Sequence, residues 1–133
     1  MEARQQRLLL APGDIRDWDK AMESRCNWSW LQLAWGGTNI SPSDIDFVVE
    51  RRGHFLVGEV KPTRKEAIGS RGQEILFTQF ARLPRVTAFY LVGDIVQHKI
   101  TPKEMCVIGQ SWQPVDRDGF LTFCGRWFAR VNP

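Results

Sequence analysis

No apolar run in this chain approaches the ~18 residues of a membrane-spanning helix. Leu8, Leu9 and Leu10 are too few for a secretory signal core, so the chain is expected in the cytoplasm, away from membranes. Cysteine is scarce: Cys26, Cys106 and Cys124 are odd in number and widely spaced, which argues against a disulfide framework and suits a reducing compartment. No CxxC, HxxxH or clustered His/Cys set occurs, so a structural zinc site is not expected. Histidine is limited to His54 and His98, both in turn-like surroundings, and neither is expected to be catalytic. Charge of one sign is lacking too: a net +3 permits nucleic-acid binding without arguing for it. Repeats and low-complexity stretches are absent.

What is present reads as one domain over residues 1–133, a length able to bury roughly two-thirds of its unfolded surface. Six tryptophans are the compositional outlier, and most are expected in the core or against a partner. "PGDIRDWDKAMESRC" (12–26) reads as a helix capped by Asp14, with Ile15, Trp18 and Met22 on one face. "WSWLQLAW" (28–35) has the length and aromatics of a strand, with a helical continuation as the alternative. "GGTNISPS" is a loop.

"DIDFVVE" alternates and "HFLVGEVK" returns after "RRG", which predicts a β-hairpin. "PTRKEAIGSR" reads as a polar, basic loop. "GQEILFTQFARLP" reads as a helix ended by Pro84, and "VTAFYLVG" as a buried strand. "EMCVIG" and "GFLTFCGRWFARV" read as strands with "QPVDRDG" turning between them; "CGRWFAR" is read as a terminal strand or helix packed on the core, with stacking of Trp127 and Phe128 on unpaired bases as the alternative. The order of elements indicates an α/β layered domain with a mixed sheet.

The hairpin explains why "HFLVGEVKP" ends on charge. A two-residue turn at Arg52-Gly53 opposes Arg51 to His54, Val48 to Val57, Asp46 to Glu59 and Asp44 to Lys61. Opposed residues share a face at roughly 4.5–5.5 Å between Cβ atoms. Asp46 and Glu59 therefore lie side by side, with Lys61 two residues along the same face. Two adjacent carboxylates repel unless a cation lies between them. Such oxygen ligands suit Mg²⁺ or Mn²⁺, which also bind phosphate oxygens, and a neighbouring lysine completes what metal-assisted phosphodiester hydrolysis requires.

"SDIDFVVERRGHFLVGEVK" resembles the core motif of the PD-(D/E)xK nuclease superfamily. The size and the "GG…SPSDI" lead-in are similar to archaeal-type Holliday junction resolvases and to small stand-alone phage or repair nucleases. The resemblance covers about residues 14–93, with 94–133 as a C-terminal extension. It implies a restriction-endonuclease-like αβββαβ core with a mixed central sheet flanked by helices, plus extra C-terminal strands. It also implies a DNA nuclease leaving 5′-phosphates. Asp46 and Glu59 would be the metal ligands, joined by the Val60 carbonyl, and Lys61 the charge-stabilising residue. Gln73 would face the site from the apolar side of its helix and orient Lys61 or the ligand shell. The family's Pro-Asp is here Ser43-Asp44, so Asp44 is an additional candidate ligand, as is Glu23 on the first helix. Beside such a site Arg64, Lys65 and Arg71 are expected to meet DNA phosphates. Resolvase-like cutting of two strands would require a homodimer.

Overall fold

The structure, a computed structural model, describes residues 26–38 and 40–133. The helix expected over 12–26, its cap Asp14 and the candidate ligand Glu23 lie outside the described residues, Cys26 apart. The chain divides into two compact units, Met1–Pro42 and Ser43–Pro133.

In the first unit the described residues hold a 3-10 turn, Ser29–Leu33. "WSWLQLAW" is therefore helical rather than extended. Trp28 and Trp30 meet at 6.1 Å between ring centroids, and the Trp35 indole donates to the Ile40 carbonyl at 2.7 Å.

The second unit is a mixed α/β fold: a five-stranded mixed sheet, in order β1-β2-β3-β4-β5, packed against helices. Strands β1 (Phe47–Arg51) and β2 (His54–Lys61) form the expected hairpin. Arg52 and Gly53 turn the chain at φ of 53° and 79°. Two left-handed residues match the twist of the flanking strands, and glycine takes the second at no steric cost. Phe47 then faces Gly58 and Val48 faces Val57, in the register the turn predicts.

From Leu56 to Glu59 strand β2 is buried on both faces, so Leu56 and Val57 are both apolar, while Phe55 before them is exposed. Leu56 joins Phe89, Leu91, Trp127 and Val131 on one side. Val57 joins Ala67, Phe77, Ala88 and Tyr90 on the other. Gly58 has no room for a side chain, because a Cβ there would stand 2.3 Å from the Phe89 ring. That ring also meets Phe47, Phe120 and Phe123 at 5.2–5.7 Å.

After Lys61 the chain crosses over. The "PTRKEAIGSR" segment is not a loop throughout: Thr63 caps a short helix α1 (Arg64–Ile68), accepting from the Glu66 N–H. Ser70 caps α2 (Arg71–Arg82) in a reciprocal box with Gln73. Helix α2 buries Phe77 and packs Leu76, Phe80 and Ala81 on the same cluster before Pro84 stops it. Strand β3 (Val86–Val96) returns parallel to β2, and β4 (Lys99–Val107) and β5 (Gln113–Pro114) follow antiparallel. Two strands, not three, precede the crossover among the described residues, so the expected αβββ run is shorter by one strand.

The C-terminal segment expected as a strand is a helix, α3 (Arg117–Val131). Asp116 caps it, accepting from the Gly119 N–H at 2.7 Å. Phe120, Phe123, Cys124, Trp127 and Val131 recur at three- and four-residue intervals and cover the Phe89 side of the sheet. Aromatic content suggested a strand; the spacing and the cap decide for a helix. No helix among the described residues is long and apolar enough to cross a membrane.

Candidate active site

Strand β2 carries its last side chains out of the core on the α1–α2 face. Glu59 is only 3% exposed, while Lys61 is half-buried and Asp46 borders solvent just before β1. The three converge. Lys61 Nζ lies 2.6 Å from Asp46 Oδ2 and 3.5 Å from Glu59 Oε2. The Asp46 N–H donates to Glu59 Oε1 at 3.3 Å, and the Val60 N–H donates to Asp46 Oδ2 at 3.0 Å. Asp46 therefore extends the hairpin beyond its ladder through bonds between backbone N–H groups and carboxylates rather than through backbone-to-backbone pairs.

Pairing of the strands ends at Phe47 and Gly58, so Asp44 does not oppose Lys61 as expected. Lys61 turns to Asp46 instead, and Asp44 stands in the exposed approach to the hairpin. Gln73 is also placed differently. Its amide oxygen accepts from the Ser70 N–H at 3.2 Å, closing the capping box of α2. A local hydrogen bond to an otherwise unpaired helix-end donor outweighs a reach toward Lys61. Val60 keeps its place in the parallel ladder opposite Leu91.

Burial pushes the Glu59 pKa up, and the Asp46 carboxylate adds to the rise; the Lys61 ammonium and the Asp46 N–H offset only part of it. For Lys61, burial works against the charge, but the hydrogen bond and charge of Asp46, helped by Glu59, leave its pKa raised. No buried side-chain nitrogen or oxygen lacks a partner among the described residues. The cluster is a satisfied network carrying one cation and two carboxyl groups.

The expected phosphate-binding residues divide. Arg64 holds Glu104 bidentately at 2.6–3.0 Å and lies 4.8 Å above the Trp112 ring. Arg71 pairs with Glu74 at 2.8 Å, while Lys65 is exposed and forms no ion pair among the described residues. Beside Glu59 in the sheet, Tyr90 stacks between Phe77 and Trp112 at 5.6 and 6.0 Å. This column, with Arg64 and Glu104 at its end, walls one flank of the site. Nothing local in the sequence announces it, since it depends on the register of three strands and on the crossover.

Among the described residues no group of three or more His, Cys, Asp and Glu side chains could hold a metal. The carboxylate donors among the described residues are Asp46 and Glu59. Two carboxylates suit a Mg²⁺-class ion, which usually takes one or two of them and completes its shell with waters and phosphate oxygens. Compared with known proteins, the chain matches no family model, no curated protein and no solved structure.

Proposed function

We propose that the protein is a divalent-metal-dependent nuclease hydrolysing DNA phosphodiester bonds, with Asp46, Glu59 and Lys61 as its active site. The observation that carries this reading is the convergence of two carboxyl groups, one of them almost fully buried, on one lysine at the end of a hairpin. Asp46 and Glu59 would hold Mg²⁺ or Mn²⁺, with the Val60 carbonyl as a further oxygen. Such an ion supplies a polarised phosphoryl group and a more acidic water.

Lys61, protonated at neutral pH by its raised pKa, stabilises the charge that develops on the phosphoryl oxygens and orients the attacking water. A bond forms from the water oxygen to phosphorus and the bond to the 3′ oxygen breaks. The products are a 5′-phosphate and a 3′-hydroxyl that takes up the proton. Lys65 remains for phosphate contact, Arg64 and Arg71 being engaged by Glu104 and Glu74. The restriction-endonuclease-like assignment belongs to the same proposal, supported by the hairpin, the crossover helices and the parallel β3.

A second reading, a nuclease-like module that binds without cutting, is favoured by one observation: Lys61 already bridges both carboxyl groups, and among the described residues no third acidic ligand joins them. Incubation with supercoiled, linear, single-stranded and branched DNA, with Mg²⁺ or Mn²⁺ and with chelator, separates the two. The nuclease cuts only with metal, and Glu59→Ala and Lys61→Ala each lower the rate by roughly 10²–10⁴-fold. Retention of DNA without any cutting assigns the binding module instead.

A further inference from the structure

On the other side of the sheet an open groove of about 470 Å³ runs beneath α3. Thr87 in its floor pairs with Leu56, near the start of β2, whereas Lys61 ends that strand. The groove thus lies at the opposite end of the sheet from the Asp46–Glu59–Lys61 cluster, and under the opposite helix layer. Its lining includes Arg126 and Arg130, one helical turn apart on α3, together with Gln110, Gln113, the half-buried Phe123 and the edge of the buried Trp127. Among the described residues no acidic side chain lines it. Neither guanidinium forms an ion pair with another described residue.

Arg126 and Arg130 line the groove together. Each presents a planar fork matched to phosphate oxygens, and two of them balance the roughly −1.5 to −2 charge of a phosphomonoester at neutral pH. A volume of this order holds a small ligand. The half-buried Phe123 gives an apolar surface, and each glutamine amide offers a donor and an acceptor, which the edge of a base requires. The geometry points to a second site that binds a nucleotide: phosphate on Arg126 and Arg130, base against Phe123 and the Gln110 and Gln113 amides. This assignment stands on residues the nuclease reading does not use, so either can fail without the other.

The test is calorimetric titration of the full chain, in chelator, with adenosine monophosphate, adenosine, inorganic phosphate and a short 5′-phosphorylated oligonucleotide. The monophosphate binds saturably and more tightly than adenosine or phosphate. The Arg126→Gln/Arg130→Gln double variant binds it ~10- to 100-fold more weakly, the loss expected for charge-assisted hydrogen bonds, whereas Lys61→Ala binds it as the parent does. Both arginines are exposed, so their replacement by glutamine leaves the far-ultraviolet circular dichroism unchanged. A free nucleotide is the ligand if the oligonucleotide binds no better than the monophosphate, and a strand is the source if it binds better and loses that gain in the double variant. Saturable binding of neither the monophosphate nor the oligonucleotide overturns the assignment, as does undiminished binding by the double variant or a loss of monophosphate binding in a folded Lys61→Ala variant.

Discussion

At the hairpin end Lys61 touches two carboxyl groups, whereas in the groove beneath α3 Arg126 and Arg130 meet none among the described residues. The two regions sit on one sheet and treat charge in opposite ways. Around Lys61 the charges are paired, half-buried and tied to backbone N–H groups, so they bear on folding as well as on chemistry. Around α3 the cations are exposed and unpaired, so they can bear on binding while leaving folding nearly untouched. A charge cluster is better diagnosed by what its members already hold than by how many there are.

This contrast predicts a ranked set of stability changes. The largest is Phe89→Ala, which empties the centre of the cluster beneath α3 and costs about 3–5 kcal/mol in urea unfolding. Both charged regions are built on the one sheet, so the loss should be common to metal-dependent cutting and nucleotide binding. Next comes Lys61→Ala, which leaves Glu59 buried without its cation and costs about 1–3 kcal/mol. Asp116→Ala, which uncaps α3, costs about 1 kcal/mol. The Arg126→Gln/Arg130→Gln variant should fall within about 0.5 kcal/mol of the parent. If it proves as destabilising as Lys61→Ala, the distinction between the two regions disappears.

The pH dependence of stability sharpens the same contrast. Glu59 binds its proton more tightly folded than unfolded, because burial and Asp46 raise its pKa above the ordinary 4.5. As pH rises from that value through the raised one, the unfolded state sheds the proton first and stability falls. Urea midpoints measured across this window should decline in the parent, and the Glu59 share of that decline should vanish in Glu59→Gln. Lys61 acts at the other limit: its contribution is complete below the ordinary 10.5 and is lost as pH climbs through its raised pKa.

The hairpin could be read from sequence because its information is local. Arg52-Gly53 fixes the turn, alternation fixes the face, and together they fix which charges meet. The resemblance and helical periodicity both point Gln73 toward the site, whereas its side chain closes the cap of α2. Ser70 three residues before it is a capping-box signature, and a cap bond is made before any distant one. The same signature, Thr63 to Glu66, marks α1 inside what reads as a basic loop. In α3, phenylalanine, tryptophan and valine favour strands by type, but Asp116 and the spacing from Phe120 to Val131 specify a helix. The Arg64–Glu104 pair and the Tyr90–Trp112 stack join residues far apart in sequence through the crossover and the β3–β4 register, which no local pattern encodes.

The most direct test of the nuclease reading is a Mn²⁺ titration followed by electron paramagnetic resonance, with a short DNA duplex present. One bound ion in the parent, lost in both Asp46→Asn and Glu59→Gln while each variant still unfolds cooperatively, is the predicted result. No bound ion in the parent, or one that survives both substitutions, contradicts it.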